Sequence, residues 1–239
     1  MREMNVGGLN VRLTGGTDRE GGGDGPLVVL MHGFGAPGTD LVPLARVLDV
    51  PREVRFAFPE APLDLGPEFQ GGRAWWWIDM MKVQLAAMRG EVIDRSQSVP
   101  EGLTEARTSV ISMLGELTAA LSPSHVLLGG FSQGAMLACD VALRTEIPLA
   151  GLVLWSGTLI AQEDWTRTGS RRRGLRAVVS HGQNDAILPF AAAERLHDFL
   201  LHTGLGVNWV PFRGGHEIPP SALNAAATMI REITAPGIK

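Results

Sequence analysis

The stretch Gly129-Gly130-Phe131-Ser132-Gln133-Gly134 joins an apolar run, HVLL, to a helical one, MLACDVALR. A serine between two glycines at a strand-to-helix junction fits the G-x-S-x-G turn that holds a hydroxyl out as a nucleophile. The glycines follow from sterics, because side chains flanking so strained a turn collide with the neighbouring strand and helix. The turn also puts Ser132 at a helix N-terminus, where free N–H groups and the positive dipole end favour a developing anion. Alone, the pentapeptide also fits an ordinary tight turn. Its context decides.

A serine hydroxyl is a weak nucleophile near neutral pH and needs a base, which in turn needs an orienting acid. With an elbow nucleophile the three follow in the order Ser, Asp or Glu, His. Downstream of Ser132, LRAVVSHG leads into Gln183-Asn184-Asp185, and VNWVPF leads into Arg213-Gly214-Gly215-His216. Asp185 and His216 thus stand just beyond the carboxyl ends of two expected strands. The rival carboxylates fit less well, since Asp198 falls within helical periodicity and Asp164 in a polar loop. The oxyanion donors expected are the backbone N–H groups of Gln133 and of Phe34, in the His32-Gly33-Phe34-Gly35 loop after PLVVLM. This chemistry is acyl transfer through a covalent intermediate, and it calls for no cofactor or metal. A metal held by His181 and Asp185 lacks any paired-ligand motif.

These residues need a scaffold that presents strand ends. PLVVLM, EVRFAF, HVLLGG, LAGLVLWSG, LRAVVSHG and VNWVPF read as strands, apolar throughout where they are longest. Helices are expected at LVPLARVLD, with Asp40 as its cap, at EGLTEARTSVISMLGELTAAL, and at SQGAMLACDVALR. Others are expected at AAAERLHDFLLHTG and HEIPPSALNAAATMIREI. MKVQLAAMRGEV reads as a short helix, VGGLNVRLTGG as a strand or hairpin, and TDREGGGDGP and QEDWTRTGSRRRG as loops. Strands alternating with helices predict an α/β fold, a mostly parallel central sheet with helices on both faces. In such sheets ligands sit beyond the strands' carboxyl ends.

The chain has 239 residues, 45% of them hydrophobic, enough for one α/β domain. A single domain over 1–239 is expected, with an irregular insertion at about 63–100 serving as a lid or acyl-pocket wall. The net charge of -4 gives no reason to expect nucleic acid, and Arg171-Arg172-Arg173 reads as a solvated loop. The lone Cys139 calls for no oxidising compartment and reads as a small core residue. The opening segment lacks a signal peptide's apolar core, and no apolar run is long enough to span a bilayer. Cytoplasmic localisation without stable membrane insertion is the expectation. The oligomeric state stays open, a homodimer included.

GFSQGAML, HGFGAPG, PEAP, LWSG, HGQNDAILP and GGHEIP together resemble the phospholipase/carboxylesterase family, which includes the acyl-protein thioesterases. The resemblance runs from about Pro26 to the C-terminal helix. It implies an α/β-hydrolase fold with Ser132, Asp185 and His216 as triad and Phe34 and Gln133 at the oxyanion. Trp77-Ile78-Asp79 is similar to the family's Trp-Phe-Asp segment beside the acyl groove. Trp75 and Trp76 and the methionine-rich MMKVQLAAM depart from what a thioesterase of lipidated proteins would carry. Three adjacent indoles cannot all face one core, so Trp75, Trp76 and Trp77 are candidate substrate contacts. The expected function is a serine carboxylesterase acting on short to medium acyl esters. The alternatives are an acyl-protein thioesterase or lysophospholipase, and a non-catalytic binding protein on the same fold.

Overall fold

Two strands open the chain, β1 (Arg2–Val6) and β2 (Leu9–Gly16), paired antiparallel through Gly7 and Gly8. Both glycines have positive φ, 59° and 77°, as a tight two-residue reversal requires. Leu9, Val11 and Leu13 alternate along β2, so only one face of that strand is fully buried. The chain continues through β3 (Glu20–Gly22), β4 (Leu27–Met31), α1 (Leu44–Val47) and β5 (Arg55–Pro59). After a small hairpin, β6 (Leu63–Asp64) with β7 (Arg73–Ala74), come α2 (Met80–Met88) and α3 (Leu103–Leu121). The rest is β8 (Val126–Phe131), α4 (Gln133–Arg144), β9 (Gly151–Trp155), α5 (Gln162–Thr168), β10 (Arg176–Gly182), α6 (Phe190–His202), β11 (Gly206–Phe212) and α7 (Pro220–Thr234). The computed structural model describes residues 1–89 and 94–235.

Strands run in the order β1-β2-β5-β4-β8-β9-β10-β11, with β3 pairing to β2. All pairs from β5 to β11 are parallel, and only β1 and β2 run against their neighbours. This is the expected mostly parallel sheet. Its inner strands are buried on both faces, which is why they read as continuous apolar runs. Val29, Met31, Leu128, Leu154 and Val179 point into one core, shared with α3 and α4. Val28, Leu30, Leu127, Val153 and Val178 point into the other, closed by Ala226, Met229 and Ile230 of α7. Each such side chain contributes about 1.5–3 kcal/mol by leaving water.

The sheet order reverses at β4 and β8: from β4 the chain crosses to β5 on one side and later returns to β8 on the other. Such a switch point opens a crevice at the strand ends. The His32–Gly35 loop follows β4 and Ser132 follows β8, so the turns carrying both expected oxyanion donors open there.

Three expected elements differ, the first being the loop read at 17–26, which holds the short strand β3. The helix read over 41–49 shrinks to α1, and Asp40 does not cap it, because Pro43 occupies the N-cap and the preceding turns are single i→i+3 bonds. The loop read at 162–174 holds α5 and a 3₁₀ turn, Gly169–Arg172. Trp165 drives this helix: fully buried, it donates Nε1–H to Asp140 Oδ1 on α4 at 2.8 Å. Of the helix expected over 81–92, the portion beyond Arg89 lies outside the described residues.

Candidate active site

Ser132 ends β8 in a conformation costly for any residue but glycine, φ 54° and ψ -116°, strain of order 1–3 kcal/mol. The surroundings hold it there. Its N–H donates to Trp155 O on β9 at 2.8 Å, and its carbonyl starts the hydrogen-bond ladder of α4. A Cβ on Gly130 would sit 2.3 Å from Met31 O, and one on Gly134 2.0 Å from the same oxygen. The elbow glycines are therefore imposed by the close approach of β4, not by turn propensity alone. α4 behind them is buried from Gln133 to Leu143, which fixes the turn against the sheet.

Asp185 lies in the turn after β10. Its Oδ1 accepts the N–H groups of Ile187 and Leu188, each at 2.8 Å. Its Oδ2 lies 2.6 Å from His216 Nδ1 and 3.2 Å from His181 Nε2. Burial alone would raise this carboxyl, but hydrogen bonds from His181 and His216, with that of Leu188, hold it well below the usual carboxylate range. The two loops carrying Asp185 and His216 touch through glycine, since a Cβ on Gly182 would meet Gly215 O at 2.1 Å. Gln183 N–H to Phe212 O (2.8 Å) and Asn184 N–H to Gly214 O (2.9 Å) fasten them. With Nδ1–H donated to Asp185, His216 keeps Nε2 as an acceptor. The rival carboxylates are engaged elsewhere: Asp198 with His197 at 2.9 Å, and Asp164 with Arg144 and Arg167.

Ser132 and His216 line one cavity of about 120 Å³. Its walls are mostly apolar, from Phe34, Phe131, Ile78, Met80, Val83, Met136, Ile187 and Leu188, with Asp40 and Arg95 as the charged members. Ser132 Oγ has no hydrogen-bond partner among the described residues. Gly33 packs against Ser132, its ideal Cβ position 3.3 Å from Ser132 Cβ. Gly35 bends the same loop at φ 79° and donates to Arg73 O at 2.9 Å. Neither Phe34 N–H nor Gln133 N–H has an acceptor among the described residues, the latter because it begins a helix.

The phospholipase/carboxylesterase family profile matches residues 21–234. The chain belongs to this family. A probable carboxylesterase of Oryza sativa subsp. japonica is 29% identical over 183 residues, covering 74% of this chain and 75% of the relative. Acyl-protein thioesterase 1 of Gibberella zeae is 25% identical over 213 residues, covering 86% and 89%. Among solved structures, esterase PE8 superposes with TM-score 0.76 at 27% identity, covering 93% of this chain and 99% of that one. The sheet and helices described above are thus the α/β-hydrolase fold, and the protein is an enzyme, a serine hydrolase of the carboxylic-ester class.

Within this hydrolase the three tryptophans separate. Trp75, 2% exposed, belongs to the core and donates Nε1–H to His32 O at 3.0 Å, so it is corrected from substrate contact to support of the loop after β4. Trp76 is also 2% exposed, and its carbonyl accepts Gln133 Nε2–H at 2.8 Å; its ring reaches only an adjoining hollow, not the cavity of Ser132. Trp77 alone is open, 61% exposed, with its ring edge-on to Phe34 at 6.0 Å. Strand-like alternation around the short β7 separates the first two rings, and the buried Gln133 side chain clamps both backbones, accepting from Trp75 N–H at 2.9 Å.

Several contributors took their definite partners only from the structure. His181 donates Nε2–H to Leu188 O (2.8 Å) beside Asp185, and the HGQND spacing placed it one helical step away without showing its direction. His32 accepts Ala61 N–H at Nε2 (3.1 Å) and donates from Nδ1 to Gly33 O (2.8 Å). Burial pushes its pKa below the ordinary histidine value, so it is a neutral strut. Ile78, Met80, Val83 and Ile187 of the cavity wall lie in stretches the sequence singled out, WID, MMKVQLAAM and HGQNDAILP, but only the structure shows that these side chains face Ser132. Cys139 is fully buried, which pushes its thiol far up and keeps it unreactive.

Proposed function

We propose that this hydrolase cleaves short to medium acyl esters with Ser132 as nucleophile, His216 as base and Asp185 as its orienting acid. The observation that carries this is the 2.6 Å Asp185–His216 pair at a cavity that Ser132 also lines. His216 Nε2 takes the Ser132 proton as Oγ attacks the carbonyl carbon. The N–H groups of Phe34 and Gln133 hold the oxyanion, and Asp185 steadies the imidazolium. His216 then protonates the leaving alcohol, and water repeats the cycle on the acyl-enzyme.

The cavity supports the chain-length reading. At about 120 Å³ it is smaller than the roughly 150 Å³ that holds benzene in an engineered protein cavity. Ile78, Met80 and Val83 wall it, so the 63–100 segment serves as the acyl-pocket wall of a single 1–239 domain. Trp77, in the adjoining hollow and edge-on to Phe34 of the cavity, is the outermost candidate substrate contact. Among the described residues no helix is long and apolar enough to cross a membrane. A cytoplasmic enzyme acting on small esters fits this.

The test is a nitrophenyl ester series from acetate to palmitate, set beside long-chain acyl thioesters, with Ser132→Ala as background. The expected result is a maximum at short or medium chains and fluorophosphonate labelling of the wild type alone. A maximum at the longest acyl thioesters would make it a thioesterase of lipidated substrates. No labelling of folded wild-type protein would make it a binding protein.

A further inference from the structure

Arg95 stands where two hollows meet. It lines the cavity of Ser132 and His216, and it also lines the neighbouring depression of about 270 Å³ formed by Trp77, Asp79, Lys82 and Ser98. Its backbone position is set by the start of α5: Gln162 N–H donates to Ser96 O at 2.8 Å, and Ala161 N–H to Ser98 O at 2.9 Å. The side chain is half-buried. Its sequence neighbour Asp94 turns away to Arg195 at 3.4 Å. Among the described residues no carboxylate lies within 4.0 Å of the Arg95 guanidinium, and no hydrogen bond reaches it.

Among the described residues the other charges around it do not pair with it. Asp40, in the same cavity, is exposed and outside ion-pair distance. Asp79 spends Oδ1 on Lys82 N–H at 2.9 Å, and Lys82 adds a second cation to the outer hollow. Arg95 is half-buried, and this partial burial depresses its pKa below the ordinary value. Its donor fork matches a carboxylate or phosphate bidentately. Among the described residues no anion stands within ion-pair distance of that fork, so it can receive one brought by the substrate.

We propose, resting on the esterase reading above, that Arg95 determines specificity and that the natural substrates are esters bearing an anionic group on a short arm from the scissile carbonyl. The ester sits at Ser132 with its small apolar part against Ile78, Met136 and Ile187, and the anion reaches the junction of the two hollows. The arm belongs either to the acyl part, as in a half-ester of a dicarboxylic acid, or to the alcohol part, as in an ester of a hydroxy acid.

Four esters separate these cases in a pH-stat assay. Monoethyl glutarate is set against ethyl pentanoate for an acyl-side anion, and the butyrate ester of glycolate against propyl butyrate for an alcohol-side anion. The readout is the ratio of kcat/KM, anionic over neutral, within each protein, so that a general loss of activity cancels. The wild type is expected to favour one anionic ester by about tenfold or more, with KM rising as salt is added. Arg95→Met should abolish that ratio and Arg95→Lys should keep part of it. A wild-type ratio at or below one for both pairs, or a ratio unchanged in Arg95→Met, overturns the proposal while leaving the esterase standing. Hydrolysis of none of the four overturns both.

Discussion

His181 Nε2 lies 3.2 Å from Asp185 Oδ2, the same oxygen that meets His216 Nδ1. The carboxylate therefore carries two imidazoles on one oxygen and two backbone N–H groups on the other. His181 is entirely buried, and its bond to Leu188 O ties the Asp185 turn to the end of β10. Replacing it by Phe removes a donor to a buried carboxylate and leaves Leu188 O unpaired. His181→Phe should lower kcat about tenfold with a smaller change in KM, and cost about 1–3 kcal/mol in urea unfolding. Wild-type kcat in the variant would mean that the backbone N–H groups position Asp185 unaided.

Asp185→Asn keeps the shape but can leave the His216 ring in the wrong tautomer. By analogy with a serine-protease triad, kcat should fall by about 10⁴, with folding unchanged by circular dichroism. A loss below tenfold would remove Asp185 from the reaction.

Gln133 is used on different atoms: the proposed mechanism assigns its backbone N–H to the oxyanion, and its side chain joins Trp75 N–H to Trp76 O. Gln133→Leu leaves both of those buried groups unpaired, at about 1–3 kcal/mol each. The variant should unfold at lower urea and lose kcat about tenfold through a displaced tryptophan segment, while fluorophosphonate still labels Ser132. Unchanged urea midpoints would show that the two backbone groups find other partners.

Gly134→Ala should fail to yield folded enzyme or lose more than about 3 kcal/mol, because its Cβ would stand 2.0 Å from Met31 O. Gly115 has nothing within 4 Å of its ideal Cβ and sits within α3, so Gly115→Ala should instead stabilise by about 0.5–1 kcal/mol. Thermal melts of the pair check both signs.

His32 supplies a pH dependence. Burial lowers its folded pKa, so below about pH 6.5 the unfolded chain binds the proton that the folded one refuses. Its stabilising share is complete above that pH and declines as pH falls. Urea midpoints should drop from pH 7 to pH 5, and drop less in His32→Gln. Equal slopes would mean that the ring protonates in the folded state without penalty.

The order of Ser132, Asp185 and His216 along the chain, each after an apolar run, was legible because strand periodicity and turn glycines are local properties. So were the parallel sheet and the long helices, whose burial on one or both faces is written into residue spacing. α5 was not legible, since a polar segment becomes helical there through the distant contact of Trp165 with Asp140. The fates of Trp75, Trp76 and Trp77 were equally hidden, because a buried glutamine from another element selects which rings face inward.

By itself the sequence determined which side chains are candidates for the chemistry and that they stand at strand ends, because periodicity and glycine placement act over a few residues. Only the tertiary structure decided what surrounds them: the second imidazole on Asp185, the small cavity beside Ser132 and Arg95 at its edge. Those depend on elements far apart in the chain being packed to within a few ångströms, a distance that no local pattern encodes.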